Sequence, residues 1–524
     1  MNFFSRERAG DIYFTGLLLL VIGLPLSLFL TSISQFIIAA SFVIEKNYRQ
    51  RLQQFLLNLP ALAITGIYLM HLIGLFWTEN FSWGLHDLKV KLPLLLLPFL
   101  ISTAKPLTKK QFETVMTVFV FAVFTGSLIA FAVLTGIINR PINDIRDIFI
   151  FHISHIRFAL LTCVSIFSTS YFLYANNRQW SWVKKIIAAL LVIWFVVFLI
   201  LAESMTGLSI LIVTMFMVLL RELFRKRNLK AKILLSSLLI GMAAAISVFI
   251  SKSYNEINII HAVDLSRLDS LTSQGNKYAN DTVRSERENG YLIWIYVCDE
   301  ELKQAWNERS KFSFDSLDMR GQPLRYTLIR FLASIGHRRD ADGVIKLSEK
   351  EIQSIERGIA NVNYQNMASV KARLQQIFSE YDYFIMGENP GGHSVVQRME
   401  FWRAAYGIFR ENYLFGVGTG DITDAYPIQY EKMNSRLIPQ WRLRAHNQYL
   451  TFAATFGIIG FLYFIFALVF PMHSLKKSND FLFITFWLIS ILSMISEDTL
   501  ETQAGITFFT FFNCLFLFSG DDGE

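Results

Sequence analysis

Long apolar runs recur along this chain and constrain its fold more than any other feature of the sequence. Twelve runs approach the roughly 20 residues that a helix needs to cross the hydrocarbon core of a bilayer. A helix satisfies its own backbone N–H and C=O groups within each run, as a membrane requires. The sequence therefore predicts an all-α polytopic membrane protein with about 12 transmembrane helices. The runs fall at residues 12–30, 31–44, 61–77, 90–103, 112–138, 152–174, 183–201, 205–220, 232–250, 447–470, 481–495 and 503–518.

The composition agrees with a membrane protein and argues against a nucleic-acid partner. Of the 524 residues, 53% are hydrophobic and only 17% are charged, which does not fit a soluble globular enzyme. The net charge is +7, but the segment 251–445 holds 25 basic and 25 acidic residues and is neutral. The excess lies in the other 24 basic and 17 acidic residues, mostly in short connections between apolar runs. It indicates membrane orientation, not binding to DNA or RNA.

The distribution of lysine and arginine over the connections predicts which side of the membrane each connection faces. If the N-terminus is cytoplasmic, the inner connections hold 19 of these residues and the short outer connections hold four. Because basic residues concentrate on the cytoplasmic side, both termini are expected in the cytoplasm and the segment 251–445 on the outer side of the membrane. Arg6 and Arg8 precede the first run without a small-residue cleavage site, so the first helix is expected to be retained.

The outer segment is predicted to be a helical domain, residues 251–445, between two membrane regions. These regions are residues 1–250 with helices 1–9 and residues 446–520 with helices 10–12. Ser348 followed by Glu351 forms a capping box, which is typical of a helix start. Further helices are predicted at residues 284–306, 324–335, 364–383 and 395–411.

Two adjacent glycines, Gly391 and Gly392, are predicted to separate two parts of this outer domain. The part before them, about 262–388, is interpreted as an inserted subdomain. The part after them is interpreted as a segment that returns to the membrane.

A histidine stands at the predicted outer edge of the tenth span. His446 is followed by Asn447 and preceded by Arg444 and Arg442. An imidazole that can accept a proton beside cationic groups suits an anionic substrate. The alternative is an ordinary helix start at the membrane boundary, with Asn447 as its cap.

An arginine pair precedes a glycine-rich stretch in the same region. Arg398 and Arg403 lie in one predicted helix with Trp402 between them. Guanidinium groups bind phosphate in a bidentate manner. The alternative is a solvated amphipathic helix with an Arg–Glu pair. The glycines at 416, 418 and 420 do not follow a strand, so a dinucleotide site is not predicted.

Other ionisable residues lie near the outer ends of predicted spans. Placing a charged group at membrane depth costs free energy, so these residues are candidates for a functional role. The cations are Arg157, Lys89 and Lys91, and the alternative for the lysines is that they extend to the interface. The carboxylates are Glu203, in the turn between spans seven and eight, and Glu497 and Asp498, in the last outer turn. They can orient acceptor hydroxyls or pair with arginines of the long loop, and the alternative is that they keep a short turn soluble. Metal-ligand spacings are absent from the outer faces, so no metal is predicted.

These features together resemble the superfamily of O-antigen ligases and O-antigen polymerases. The resemblance rests on the twelve spans, the long outer loop after the ninth, and the Arg-x-x-x-Trp helix at Arg398. It also rests on the N-x-x-x-G-x-G stretch that begins at Asn412 and on His446-Asn447 at the next span. It is most specific from Arg398 to Gly460. The inserted subdomain has no counterpart in the plainest members.

The resemblance implies an inverting, metal-independent glycosyltransferase that uses a glycan linked to undecaprenyl diphosphate at the periplasmic face. It implies that His446 is the base for an acceptor hydroxyl and that Arg398 contacts the diphosphate. Family members usually carry a further arginine in the turn between spans seven and eight. This chain has Ser204-Met205-Thr206 there, so that contact is expected either to be absent or to be supplied by Arg157, Lys89 or Lys91.

The expected reaction transfers glycan to lipid A-core or a similar surface acceptor, without a cofactor. The donor already carries the energy, and no glycine-rich loop followed by Lys-Ser/Thr is present for ATP. An O-antigen polymerase, with a second lipid-linked repeat unit as acceptor, is the main alternative. A polysaccharide transporter or flippase predicts inverted repeats, which the sequence does not have. An inactive relative whose outer domain binds partners is a third alternative.

Overall fold

The structure is a computed structural model that describes residues 3–140, 142, 145–151, 153–226, 228–257, 259–319, 321–365, 370–385 and 394–519. Helices form nearly all of the regular structure in these residues, and one short hairpin is the only sheet among them. Many of the helices are long and apolar. The predicted class, an all-α polytopic membrane protein, is confirmed.

The elements follow the chain in this order. The first ten helices are α1 (Phe3–Leu26), α2 (Leu28–Glu45), α3 (Tyr48–Leu57), α4 (Leu59–Ile73), α5 (Phe81–Lys91), α6 (Pro93–Ser102), α7 (Lys109–Leu134), α8 (His155–Ala175), α9 (Trp182–Leu201) and α10 (Met205–Arg225). Then come α11 (Leu229–Ile257), β1 (Arg287–Glu288), β2 (Tyr291–Leu292), α12 (Asp299–Arg309), α13 (Leu324–Ser334), α14 (Ala341–Ile345), α15 (Glu349–Glu356) and α16 (Val370–Ile385). The last five are α17 (Ser394–Glu411), α18 (Ile422–Lys432), α19 (Gln448–Ser474), α20 (Phe481–Ser496) and α21 (Gln503–Phe518).

Nine helical segments within the described residues are long and apolar enough to cross a membrane. They correspond to nine of the twelve predicted spans. At the other three, α6, α20 and α21 have 10, 16 and 16 residues. A helix rises about 1.5 Å per residue, so these are shorter than a hydrocarbon core of about 30 Å. Pro93 starts a new helix inside the fourth run, which divides that run between α5 and α6. The number twelve is therefore not confirmed.

By internal packing the chain divides into two units. The first comprises Met1–Asn139, Ile148–Arg221 and Asn389–Glu524, and the second comprises Arg140–Asp147 and Glu222–Glu388. Thus α11 groups with the second unit, while α17 and α18 group with the first. The predicted division at residues 250 and 445 concerns membrane topology and stays a prediction. The predicted joint at Gly391 and Gly392 lies outside the described residues.

In the first unit, a kink in α19 receives the loop between α17 and α18. Gly457 has φ 64° and ψ −164° in the middle of the helix. Only glycine adopts this conformation without strain, and a Cβ there would lie 2.3 Å from the Leu414 carbonyl carbon. The kink leaves carbonyl groups of α19 without partners in the helix, and N–H groups of the loop donate to them. The Val417 N–H, for example, donates to the Ala454 carbonyl at 3.1 Å. The glycine-rich stretch is therefore a close backbone packing element.

In the second unit, the predicted helix 284–306 is wrong, because its first half forms a hairpin. Asn289 and Gly290 have φ 48° and φ 88°, and Glu288 pairs with Tyr291 across them. An Asn-Gly pair with positive φ at both residues is the preferred two-residue hairpin turn. Only α12 remains helical in that range. The predicted capping box of Ser348 and Glu351 is confirmed at the start of α15.

The second unit has an apolar core of its own, built from the hairpin, α12, α13, α14 and α15. Its largest buried side chains include Trp306 and Phe331. Several buried carboxylates in this unit are bonded to neutral donors. Glu301 accepts hydrogen bonds from the Thr272 hydroxyl, from Asn276 Nδ2 at 2.9 Å and from the Ala341 N–H at 3.2 Å.

Candidate active site

The start of α19 fixes the backbone of the predicted histidine. Asn447 caps the helix, because its Oδ1 accepts the Leu450 N–H at 3.1 Å. His446, directly before this cap, has φ 46°, in the left-handed region. This conformation is uncommon for a residue with a side chain and persists where the surroundings hold it. The helix cap that the sequence offered as the alternative is present at Asn447. The imidazole of His446 therefore lies at the start of α19.

Asp498 is the group that holds this backbone. It lies between α20 and α21, buried, and accepts the N–H of His446 at 3.0 Å and the N–H of Asn447 at 3.1 Å. The Thr451 hydroxyl donates to the same carboxylate at 2.7 Å. Burial and the nearby charge of Glu501 raise the pKa of Asp498 to about 6. The sequence allowed this acidic turn to serve only for solubility. In the structure, its Asp498 is a buried hydrogen-bond acceptor.

Glu497, the preceding residue, faces the predicted arginine of α17. Arg398 Nη2 lies 3.3 Å from Glu497 Oε1, and both side chains are about four-fifths buried. Burial raises the pKa of Glu497 above its usual value, while the charges of His446 and Arg398 oppose this rise. Arg157, in the first turn of α8, also lies close enough for its charge to act on Glu497. Glu497 therefore pairs with Arg398 and lies within electrostatic range of His446 and Arg157.

The surroundings of His446 favour the neutral form of its imidazole. Burial lowers the pKa of His446 below its usual 6.5, and the positive charges of Arg398 and Arg444 lower it further, against the opposing effect of Glu497. Its ring packs against Phe401 of α17, with 5.8 Å between the centroids. A neutral imidazole beside guanidinium groups can accept a proton next to a bound anion.

A second group of buried charges lies next to this one. Lys91, at the end of α5, is fully buried, and its Nζ lies 2.6 Å from Asp87 Oδ1 and 2.8 Å from Glu501 Oε2. Arg444 Nη1 lies 3.1 Å from the same Glu501 oxygen, and its guanidinium stacks over Trp83 at 5.4 Å. Lys91 and Arg444, both predicted near the substrate, are thus tied to carboxylates of the protein.

Three other predicted residues occupy different positions. Lys89 lies on the exposed face of α5, opposite the buried face that carries Lys91. The Arg403 side chain is 63% exposed and pairs with Glu400 at 2.6 Å, as in the amphipathic-helix alternative. Glu203 lies in the turn between α9 and α10 with φ 48°. Within the described residues, no group of three His, Cys, Asp or Glu side chains is placed to hold a metal ion.

Comparison with known families bears on the segment that carries Arg398 and His446. Residues 353–465 match the family model of O-antigen ligase. This match confirms the predicted resemblance and supports a membrane enzyme of the O-antigen ligase or polymerase type. A search of the curated proteins finds no match.

The O-antigen ligase match covers only part of the candidate site. It includes Arg398 and His446, whereas Arg157, Glu497 and Asp498 lie outside it. The structure brings these residues together from α8, α17, the start of α19 and the turn before α21. The site is therefore assembled from segments within and beyond the matched region.

Sequence reasoning missed the residues that tie the segments together. Gln448 is fully buried, its Oε1 accepts the Leu500 N–H at 2.7 Å, and its Nε2 donates to Glu501 at 3.1 Å. His71 of α4 lies with Nδ1 3.2 Å from Asp87 Oδ2. A polar residue inside an apolar run was the available signal for His71, and Asp87 four residues before Lys91 was the signal for their ion pair.

Proposed function

We propose that the protein is a membrane glycosyltransferase of the O-antigen ligase type. It transfers a glycan from undecaprenyl diphosphate to a hydroxyl of lipid A-core, or a similar surface acceptor, at the periplasmic face of the inner membrane. The observation that carries this proposal is the pair of Arg398 and Glu497, with His446 and Arg157 within electrostatic range of the same carboxylate. The O-antigen ligase match supports the reaction class, and the excess of basic residues on one side supports the orientation.

The diphosphate of the donor binds to Arg398 and Arg157 in this proposal. In the structure Glu497 is the anion facing these cations. An incoming diphosphate competes with this carboxylate for the guanidinium groups, which bind phosphate oxygens in a bidentate manner. As the glycosidic bond breaks, negative charge develops on the leaving diphosphate. Fixed guanidinium groups in a partly buried site stabilise that charge more than water does.

The base in this proposal is the neutral imidazole of His446. It accepts the proton of the acceptor hydroxyl while the hydroxyl oxygen forms a bond to the anomeric carbon. The bond from that carbon to the diphosphate oxygen breaks on the opposite face, so the configuration inverts. Asp498 holds the backbone of His446 and Asn447 and thereby orients the ring. General base catalysis by a positioned histidine contributes about 10²- to 10⁴-fold.

A transfer assay with two acceptors tests the proposal. Purified protein in lipid is supplied with a glycan on undecaprenyl diphosphate and with either lipid A-core or a second lipid-linked glycan. Glycan appearing on lipid A-core is the expected result. Elongation of the lipid-linked glycan instead assigns the polymerase function, which the O-antigen ligase match also accommodates. Movement of donor across vesicles with no new glycosidic bond would contradict both.

A further inference from the structure

A buried ion pair, Lys91 with Asp87 and Glu501, lies next to the candidate site. Lys91 has no exposed surface, and both of its carboxylate partners, Asp87 and Glu501, are at least about nine-tenths buried. A buried charge is costly unless it is paired and hydrogen-bonded. Two carboxylates and the two cations Lys91 and Arg444 balance one another here. The sequence-based role of Lys91 as a diphosphate ligand leaves this balance unexplained.

Glu501 connects three elements that are distant in the sequence. Its Oε2 binds Lys91 of α5 and Arg444 before α19, and its Oε1 accepts Gln448 Nε2 at 3.1 Å. Lys91 and Glu501 are 410 positions apart. These contacts fix the short 3-10 helix Thr499–Glu501 against α5 and α19.

The two acidic residues of the candidate site are next to this short helix in the sequence. Glu497 and Asp498 directly precede Thr499–Glu501. Asp498 holds the N–H groups of His446 and Asn447, and Glu497 pairs with Arg398. A displacement of Glu501 therefore shifts Asp498, the acceptor that holds the backbone of His446.

We propose that Lys91 and Glu501 are positioning residues, whose buried pair holds the segment 497–501 so that Asp498 fixes the backbone of His446. The catalytic role of His446 rests on the function proposed above. The packing role of the pair does not, since backbone protection reports it without any transfer reaction.

The first experiment measures hydrogen exchange of the His446 and Asn447 amides in the full-length protein in lipid. Glu501→Gln keeps the side-chain volume and removes its charge, leaving Lys91 and Arg444 in excess. Exchange of both amides should accelerate at least about tenfold, because breaking a buried pair leaves an uncompensated charge. Lys91→Met should act likewise. The double variant Lys91→Met with Glu501→Gln restores the charge balance and should recover most of the protection.

The matched control is an exposed Lys–Glu pair in the same unit. Lys432 Nζ lies 2.6 Å from Glu411 Oε2, and both side chains are about half exposed. Lys432→Met and Glu411→Gln should leave amide exchange at His446 and Asn447 within about twofold of the parent, because exposed pairs contribute little. Thermal unfolding of each variant verifies that the rest of the protein is folded.

The second experiment separates positioning from ligand binding. In the transfer assay, Glu501→Gln should lower kcat by about 100-fold with donor KM changed less than about threefold, since a positioning residue does not touch donor. The double variant should recover at least about tenfold of that loss.

Three results decide the matter. Unchanged amide exchange in folded Glu501→Gln and Lys91→Met overturns the proposal. A raised donor KM with unchanged kcat in Lys91→Met also overturns it and makes Lys91 a ligand. If the parent protein transfers no glycan, the proposed function fails, and the exchange data alone still decide whether the pair positions the segment.

Discussion

Two buried glutamates, one in each unit of this protein, are satisfied by different kinds of donor. Glu301, in the second unit, is satisfied by a hydroxyl, an amide and a backbone N–H, all neutral donors. Glu501, in the first unit, is satisfied mainly by Lys91 and Arg444. The neutral donors leave the net charge of the Glu301 carboxylate in place, whereas Lys91 and Arg444 offset the charges of Asp87 and Glu501. The comparison therefore contrasts structural polar bonding at Glu301 with the paired charges next to the candidate site.

The largest expected effect follows from removing the imidazole. His446→Ala should lower the transfer rate by about 10²- to 10⁴-fold, because it removes the proposed general base. His337→Ala, in the second unit, is the control and should leave the rate unchanged. Both variants should insert into the membrane and unfold at the temperature of the parent protein. Near-normal transfer by His446→Ala would mean that another group is the base. The paired charges around Glu501 would then not mark the active site.

The next effect concerns the arginine that faces Glu497. Arg398→Ala should lower kcat/KM for the donor by about 10²- to 10³-fold, because a partly buried guanidinium no longer stabilises the leaving diphosphate. The control on the same helix is Arg410, which is exposed in the last turn of α17. Steady-state kinetics with varied donor measure both. Equal kinetics for Arg398→Ala and Arg410→Ala would show that Arg398 does not bind the donor diphosphate.

The pKa shifts of Asp498 and His446 predict how the transfer rate depends on pH. As pH falls through about 6, Asp498 binds a proton and becomes a weaker acceptor for the N–H groups of His446 and Asn447. The His446 imidazole also takes up a proton below its usual pKa of 6.5 and no longer acts as a base. The transfer rate should thus fall on the acid side and stay level toward about pH 8. A rate that rises as pH decreases would contradict this assignment.

The smallest effect tests the second unit. Glu301→Ala leaves the Thr272, Asn276 and Ala341 donors without their acceptor, which costs about 1–3 kcal/mol. The free energy of unfolding of the second unit should fall by this amount. Transfer per folded molecule should stay within about twofold of the parent, because Glu301 has no part in the proposed chemistry. Denaturant titration and the transfer assay measure the two quantities.

The sequence predicted the elements that depend on local pattern. The apolar runs located the membrane helices, and the capping box located the start of α15. His446 and Arg398 stood out because they belong to a recognisable arrangement. The hairpin at Asn289 and Gly290 was missed because the apolar residues around it also fit a helical period, although the Asn-Gly pair carried the correct signal.

The assembled site could not be predicted to the same extent. Lys91 pairs with Glu501 across 410 positions, and neither residue type nor spacing reveals such a contact. The same holds for Asp498, whose role depends on the backbone of His446 reaching it. Lys89 and Lys91 looked equivalent in the sequence, yet one is exposed and the other fully buried. Two positions along a helix separate opposite faces, and only packing decides which face is buried.

A structure of the full-length protein with a non-hydrolysable undecaprenyl diphosphate donor tests the central claim most directly. The account predicts diphosphate oxygens within about 3 Å of the Arg398 guanidinium and near Arg157, with Glu497 displaced from Arg398. It also predicts that the face of the anomeric carbon opposite the diphosphate is open toward His446. Diphosphate bound at Lys89 on the exposed face of α5, away from His446, would contradict the account.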